Sequence, residues 1–230
     1  KRQTETTAAV GNVLSTLPDF PAEIRAPAGS LAVVSAFQIH FSSKDIHTPG
    51  DQPDVLVAMN PAALKVHQNE LTPGGTIIIN TDSFTKKNLN FAGYESSPVE
   101  DGTLDDYFTV IPLEMTKLVT AACEGLEMSP KFVARTKNFF ALGVLYYMYD
   151  RPLEATEKWL EKKFAGKDVI IEANKRAMHA GYNYADTTEL FTTRFKVEKA
   201  VLPSGTYRNI NGNHATSLGL LAASEKSGLK

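Results

Sequence analysis

The sequence predicts an α/β fold: a Rossmann-like domain with a mostly parallel sheet and a helical C-terminal half, followed by the first helix of another domain. Three observations carry this. Residues 54–59 (DVLVAM) and 76–80 (TIIIN) are short and almost wholly apolar, as strands covered on both faces are. Between them Asn60-Pro61 opens a helix and Thr72-Pro73-Gly74-Gly75 turns the chain back, so a strand, a capped helix and a second strand fit the length of one βαβ unit. After residue 114, helical spacing replaces strand-like runs. With 230 residues, 43% hydrophobic and 22% charged, the chain reads as a soluble protein long enough for one domain and part of a second.

The elements follow in order. Residues 4–14 read as a weak helix with Ala8, Ala9, Val13 and Leu14 near one face. Prolines 21 and 27 exclude helix from the next stretch. Residues 31–41 form the first strand, in which Phe37, Ile39 and Phe41 alternate with Gln38 and His40, giving one wetter face. Residues 54–59 are the second strand. A helix with N-cap Asn60 runs to residue 70, residues 76–80 are the third strand, and 107–112 (YFTVIP) the fourth. A helix spans 114–126. Ser129-Pro130 starts another, on which Phe132, Thr136, Phe139, Phe140, Gly143, Val144 and Tyr147 share a core-facing side. Residues 153–164 are an amphipathic helix, with Gly166 in the place of a C-cap glycine. Residues 169–184 carry the stripe Ile170, Ala173, Ala177, Ala180 and Tyr184. Composition changes at Thr187, leaving a linker with a strand-like piece at 191–197. Asn211 or Asn213 then caps a helix over 215–226, with Leu218, Leu221 and Ala222 on its buried side. The division is therefore 1–188, a linker at 189–210, and 211–230 as the start of a further domain.

Charge and cysteine usage narrow the function. Lys plus Arg total 24 against 26 for Asp plus Glu, and no like-charge block exceeds three residues, so the sequence offers no surface for nucleic acid or an anionic membrane. The longest apolar run, 139–148, is too short to span a bilayer. Cys123 is the single cysteine, which excludes a disulfide framework and any iron–sulfur cluster held by this chain alone, and which suits a reducing cytoplasm. The chain opens without Met or a signal-peptide core and ends just after a helical segment, so both ends read as cut.

Little in the sequence carries chemistry outright. There is no G-x-S-x-G, G-x-G-x-x-G or P-loop, and Cys123 sits mid-helix as a buried, inert thiol. His40, His47, His67, His179 and His214 have no metal-ligand spacing, and Glu100, Asp101, Asp105 and Asp106 read as a solvated turn. No catalytic or metal-ligating residue is assigned. Three residues are candidates for binding a cofactor or substrate. Glu23 and Arg25 lie in the proline-stiffened loop Pro21-Ala22-Glu23-Ile24-Arg25-Ala26-Pro27-Ala28-Gly29, just before a strand. Asn60, like Thr81-Asp82, stands at the carboxyl end of a strand, the edge where open α/β sheets bind ligands, and the helix after it offers free N–H groups to an anion.

Longer stretches carry a resemblance. Phe20 with the Pro21–Gly29 loop, Phe37-Gln38-Ile39-His40, residues 47–60 (HTPGDQPDVLVAMN), 137–143 (KNFFALG), Glu172-Ala173-Asn174 and Ala180-Gly181-Tyr182 resemble the alpha subunit of 2-oxoacid:ferredoxin oxidoreductases. The likeness is greatest to the 2-oxoglutarate type, in which a gamma domain is fused ahead of the pyrimidine-binding domain of a thiamine enzyme. Residues 205–215 (GTYRNINGNHA) are similar to the junction between the two. The resemblance implies oxidative decarboxylation of a 2-oxoacid to its acyl-CoA, with electrons passed to ferredoxin. It implies that thiamine diphosphate with Mg and a [4Fe-4S] cluster sit on a partner beta subunit, that coenzyme A is a co-substrate, and that this chain holds none of these groups alone. It also implies a gamma domain truncated at its N-terminus and a piece inactive by itself. Arg25 would then pair with a phosphate or carboxylate, Glu23 would orient it, and Asn60 would lend a helix N-terminus. Two other readings stay open: a nucleotide- or CoA-binding α/β module, and a non-catalytic domain that docks a partner subunit.

Overall fold

The structure is a computed structural model, and it describes residues 2–19, 34–207 and 210–228. The first helix, α1 (Arg2–Ala9), is shorter than its sequence suggests. The chain turns at Gly11, and Val13–Asp19 becomes a strand, β1, rather than the end of the helix. It pairs antiparallel with β2 (Ala36–Ser42), from Val13 opposite Ser42 to Asp19 opposite Ala36. The first predicted strand thus belongs to a separate two-stranded ribbon and not to the parallel sheet. Pro18 lacks a ladder donor, which the ribbon tolerates because, among the described residues, each of its strands has a neighbour on one side only. The alternation on β2 also has a different cause from the one expected. Gln38 Nε2 donates to the carbonyls of Pro49 (3.0 Å) and Gly50 (2.7 Å), and His40 Nδ1 bonds to that of Thr48 (3.1 Å). The polar positions pin the 48–50 turn, while Phe37 is 41% exposed.

The parallel sheet is β3 (Val55–Ala58), then β4 (Thr76–Asn80) and β5 (Thr109–Leu113), in the order β3-β4-β5. Helix α2 (Pro61–His67) makes the crossover from β3 to β4 and ends in one 3₁₀ turn to Glu70. A short helix that the sequence did not reveal, α3 (Lys86–Phe91), follows β4. Side chains alternate across β4. Ile77 and Ile79 join Ala58, Leu64 and Leu71 on one face, while Ile78 faces Ile111, Leu113 and the larger helical layer. Each such fully buried isoleucine contributes roughly 1.5–3 kcal/mol.

That layer holds α4 (Met115–Ala122), α5 (Pro130–Val133), α6 (Lys137–Met148), α7 (Glu154–Lys163) and α8 (Asp168–Thr187). The single helix expected after Ser129-Pro130 is broken by a 3₁₀ turn at Ala134–Thr136. α6 is buried on several sides, through Phe140, Ala141, Val144, Tyr146 and Met148, because it lies between the sheet and α8. α8 faces it with Ala173, Ala177, Gly181 and Ala185, close to the predicted stripe. Gly166 is left-handed (φ +79°), as a residue closing α7 requires.

The chain divides into two compact units, Lys1–Ala200 and Val201–Lys230. Residues 191–197 form no strand. They pack on the first unit, with Phe191 stacked on Tyr147, Phe195 on Tyr149, and the Phe195 N–H donating to Met148 O (2.8 Å). The Asn12 amide donates to Glu198 O (2.7 Å), and the Ala200 N–H to Gly11 O (2.9 Å). In the second unit α9 (Gly212–Ser227) starts at Asn211, whose Oδ1 accepts the His214 N–H (2.9 Å). Leu218 and Leu221, expected on a buried side, are 57% and 61% exposed. A lone helix has nothing within its own unit to pack against.

Candidate functional site

The carboxyl ends of β3, β4 and β5 bring Asn60, the segment 80–83 and Glu114 to one edge of the sheet. Asn60 is exposed and extended, and its Oδ1 accepts the Ala63 N–H at 2.8 Å. It therefore serves as the N-cap that the Asn-Pro pair predicts. Its Nδ2 group is what it can offer to another molecule.

The segment after β4 is built inward. Asn80 is fully buried, and its Nδ2 donates to Ser83 Oγ (2.8 Å) and Met59 O (3.4 Å). Ser83 O in turn accepts from Asn88 Nδ2 (2.8 Å), which fixes the start of α3. Asp82 Oδ2 accepts the Thr116 N–H (2.6 Å) and so caps α4 from a different element. This second duty was invisible in the sequence because its partner lies 34 residues away. Asn80 was missed as well. The available signal was a polar residue ending an otherwise apolar strand. Removing the Asp82 carboxylate leaves one first-turn N–H of α4 unmet, so Asp82→Ala is expected to cost about 1–2 kcal/mol, read as a lowered urea midpoint at unchanged slope. An unchanged midpoint would show that water replaces the cap.

Glu23 and Arg25 lie outside the described residues. Cys123 is 3% exposed, its thiol donates to Ala173 O (3.6 Å), and burial pushes its pKa up, so it is the inert thiol expected. In the acidic loop Asp101 accepts from Ser96 Oγ (2.6 Å), Thr103 Oγ1 (2.8 Å) and the Thr103 N–H (3.1 Å). These bonds, that from Ser96 foremost, hold its carboxyl below the usual range. The cluster is a hydrogen-bonded turn. His40, His67 and His179 are engaged with Thr48 O, Glu70 and Glu157 respectively. Lys65 donates to Gly93 O (2.5 Å) and stands over the Tyr94 ring (4.7 Å), while burial raises the Tyr94 hydroxyl to about 12. No helix among the described residues is long and apolar enough to cross a membrane.

The chain is 50% identical over 228 residues to the 2-oxoglutarate oxidoreductase subunit KorA of Mycobacterium tuberculosis. That alignment takes in 99% of this chain and 35% of KorA, so the chain spans about a third of the relative's length. Among solved structures, the 2-oxoglutarate:ferredoxin oxidoreductase of Magnetococcus marinus, determined with 2-oxoglutarate, coenzyme A and succinyl-CoA bound, matches over 87% of this chain and 30% of its own. At a TM-score of 0.57 and 20% identity, the two share the fold. The keto/oxoacid ferredoxin oxidoreductase gamma subunit of Geobacter sulfurreducens covers 80% of this chain and 88% of its own, at a TM-score of 0.49 and 17% identity. The family model for pyruvate ferredoxin/flavodoxin oxidoreductases matches residues 5–184, from α1 through most of α8, and the chain belongs to that family.

Proposed function

We propose that this chain is part of the alpha subunit of an enzyme that oxidatively decarboxylates 2-oxoglutarate to succinyl-CoA and passes the electrons to ferredoxin. The observation that carries the reading is the 50% identity to KorA along 99% of the chain. In this reading residues 1–188 are the gamma domain, 189–210 join it to the next, and α9 begins the pyrimidine-binding domain. The enzyme is cytoplasmic.

The cofactors of such a reaction do not fit this chain's donors. Its one cysteine is buried, and among the described residues no three His, Cys, Asp or Glu side chains gather as a metal would need. In this reading thiamine diphosphate with its Mg and the [4Fe-4S] cluster belong to a partner beta subunit, as the family resemblance implies. What the gamma domain contributes is cover for coenzyme A and for the subunit interface. Arg25 pairs with a phosphate or carboxylate of the ligand, Glu23 orients that guanidinium, and Asn60 presents its amide at the head of α2.

The test is coenzyme A-dependent reduction of a viologen dye by the full-length alpha subunit co-expressed with its beta subunit, offered 2-oxoglutarate, pyruvate and branched 2-oxoacids in parallel. Turnover is expected with 2-oxoglutarate, and only with both subunits and thiamine diphosphate present. A complex loaded with cluster and thiamine that turns over none of these acids would overturn the reading.

A further inference from the structure

α6 ends against the chain that follows α8. Tyr147 and Met148 lie in its last turn, where carbonyls lack the i+4 donor. Residues 194 and 195 supply donors in its place: Arg194 Nε donates to Tyr147 O (3.0 Å) and the Phe195 N–H to Met148 O (2.8 Å). The Arg194 guanidinium also stands 4.3 Å from the centroid of the Tyr147 ring and pairs with Asp150 Oδ1 (3.0 Å), which puts a cation where the helix dipole is negative. Asp150 itself is left-handed (φ +51°), a backbone that residues other than glycine rarely adopt, and the pair with Arg194 fixes its side chain. With the two ring stacks already described, this is a first anchor for residues 191–200.

The second anchor is the turn between α1 and β1. Asn12 is 7% exposed, and its Nδ2 donates to Glu198 O (2.7 Å) and Val197 O (3.4 Å). The Ala200 N–H donates to Gly11 O (2.9 Å). Gly11 is left-handed (φ +89°), and the stem of Lys199 covers it, so that an added Cβ would stand 3.5 Å from Lys199 Cγ. Between the anchors lies the exposed pair Lys196–Glu198 (3.3 Å), which is worth little in water. Residues 191–200 form neither helix nor strand, so the contacts at their two ends are what offsets the backbone entropy lost on ordering them. Once one end is seated, the other is held beside its own anchor at high effective concentration.

We infer that residues 191–200 are a two-state latch, docked at both anchors or at neither, which couples the end of α6 to the α1–β1 turn. Release uncovers Met148 O and Gly11 O together and frees α1 and the start of the ribbon to open. It also adds residues 191–200 to the exposed chain that begins at Val201, up to about 35 Å of further reach at ~3.5 Å per residue. The inference is independent of the reaction proposed above.

Amide hydrogen exchange of the full-length protein tests it, on the wild type and on two variants that each break one anchor, Arg194→Ala and Asn12→Ala. In the wild type the Phe195 and Ala200 amides are expected to share one protection factor, lower than that of the α8 amides. Each variant is expected to lower protection about tenfold at both amides, the distant one as much as the near one, and to leave α8 unchanged. Arg194 is exposed, so its replacement spares the core and the test does not depend on the folding of Asn12→Ala. Loss of protection at the altered anchor alone would make the two contacts separate and overturn the inference. An equal loss in α8, which marks general destabilisation, or unprotected amides at both positions in the wild type would overturn it as well.

Discussion

Replacing Gly143 by alanine is expected to destabilise the first unit by about 3 kcal/mol, seen as a lower urea midpoint. Alanine usually stabilises a helix relative to glycine, by about 0.5–1 kcal/mol, so the expected sign is the reverse of the propensity rule. The cause is the crossing of α6 and α8. A Cβ at Gly143 would drive into the carbonyl oxygen of Met178 and stand 2.9 Å from the Tyr182 nitrogen. A Cβ at Gly181 would meet the Phe140 carbonyl in the same way, its carbon at 2.8 Å. The obstacles are backbone atoms, which no rotamer change can move, so the helices must separate and open the core around Phe140 and Val144. Gly181→Ala is expected to cost as much as Gly143→Ala. The double variant should cost less than the sum, because helices parted by the first alanine have already made room for the second. Gly219 of α9 is the control, since nothing lies within 4 Å of its added Cβ and alanine there should be neutral or mildly stabilising. An unchanged midpoint for Gly143→Ala would mean that the two helices do not cross this closely.

Tyr146 carries the second large effect. It is the largest fully buried side chain, and its hydroxyl lies 2.7 Å from both Thr6 Oγ1 and Thr156 Oγ1. It ties α1 and α7 to α6. Tyr146→Phe keeps the ring and leaves two buried threonine hydroxyls 3.4 Å apart to satisfy each other, at an expected cost of about 1–3 kcal/mol. Tyr146→Ala adds the cavity of a lost aromatic ring and should cost about 3–5 kcal/mol. The difference between the two separates packing from hydrogen bonding. Tyr146→Phe should also speed amide exchange in α1 more than in α8, because the lost bond is the one reaching α1. Equal changes in both helices would count against the network as the anchor.

The βαβ unit was legible because its signals are local. Asn60-Pro61 joins an N-cap residue to a first-turn proline, and Thr76–Asn80 is a short, β-branched apolar run bounded by turn residues, as a buried strand is. The ribbon was not legible. Leu14, Ser15 and Thr16 have no period of two, and Pro18 argues against a strand unless the partner is known to lie on one side only. The break between α5 and α6 was hidden because Ala134, Arg135 and Thr136 suit an α-helix as well as a 3₁₀ turn. At the candidate site the capping role of Asn60 was written in its next residue. Those of Asp82 and Asn80 depend on Thr116 and Ser83, which only the folded chain brings to them. Glu23 and Arg25 rest on the loop sequence and the family likeness.

The bonds from Asn12 to Val197 and Glu198 join positions 185 and 186 residues apart. α1 and β1 are synthesised well before Tyr146, Thr156 and the segment that closes over Asn12. At ~5–20 residues per second, that interval is about 10–40 s. For all of it, Gln3, Thr6 and Thr7 can be hydrated, and the apolar ribbon strands can pair with whatever strand reaches them. α1 and β1 are thus made before the partners that lock them. Synthesis rate and chaperone access should weigh more heavily on its yield than the final stability of the domain does.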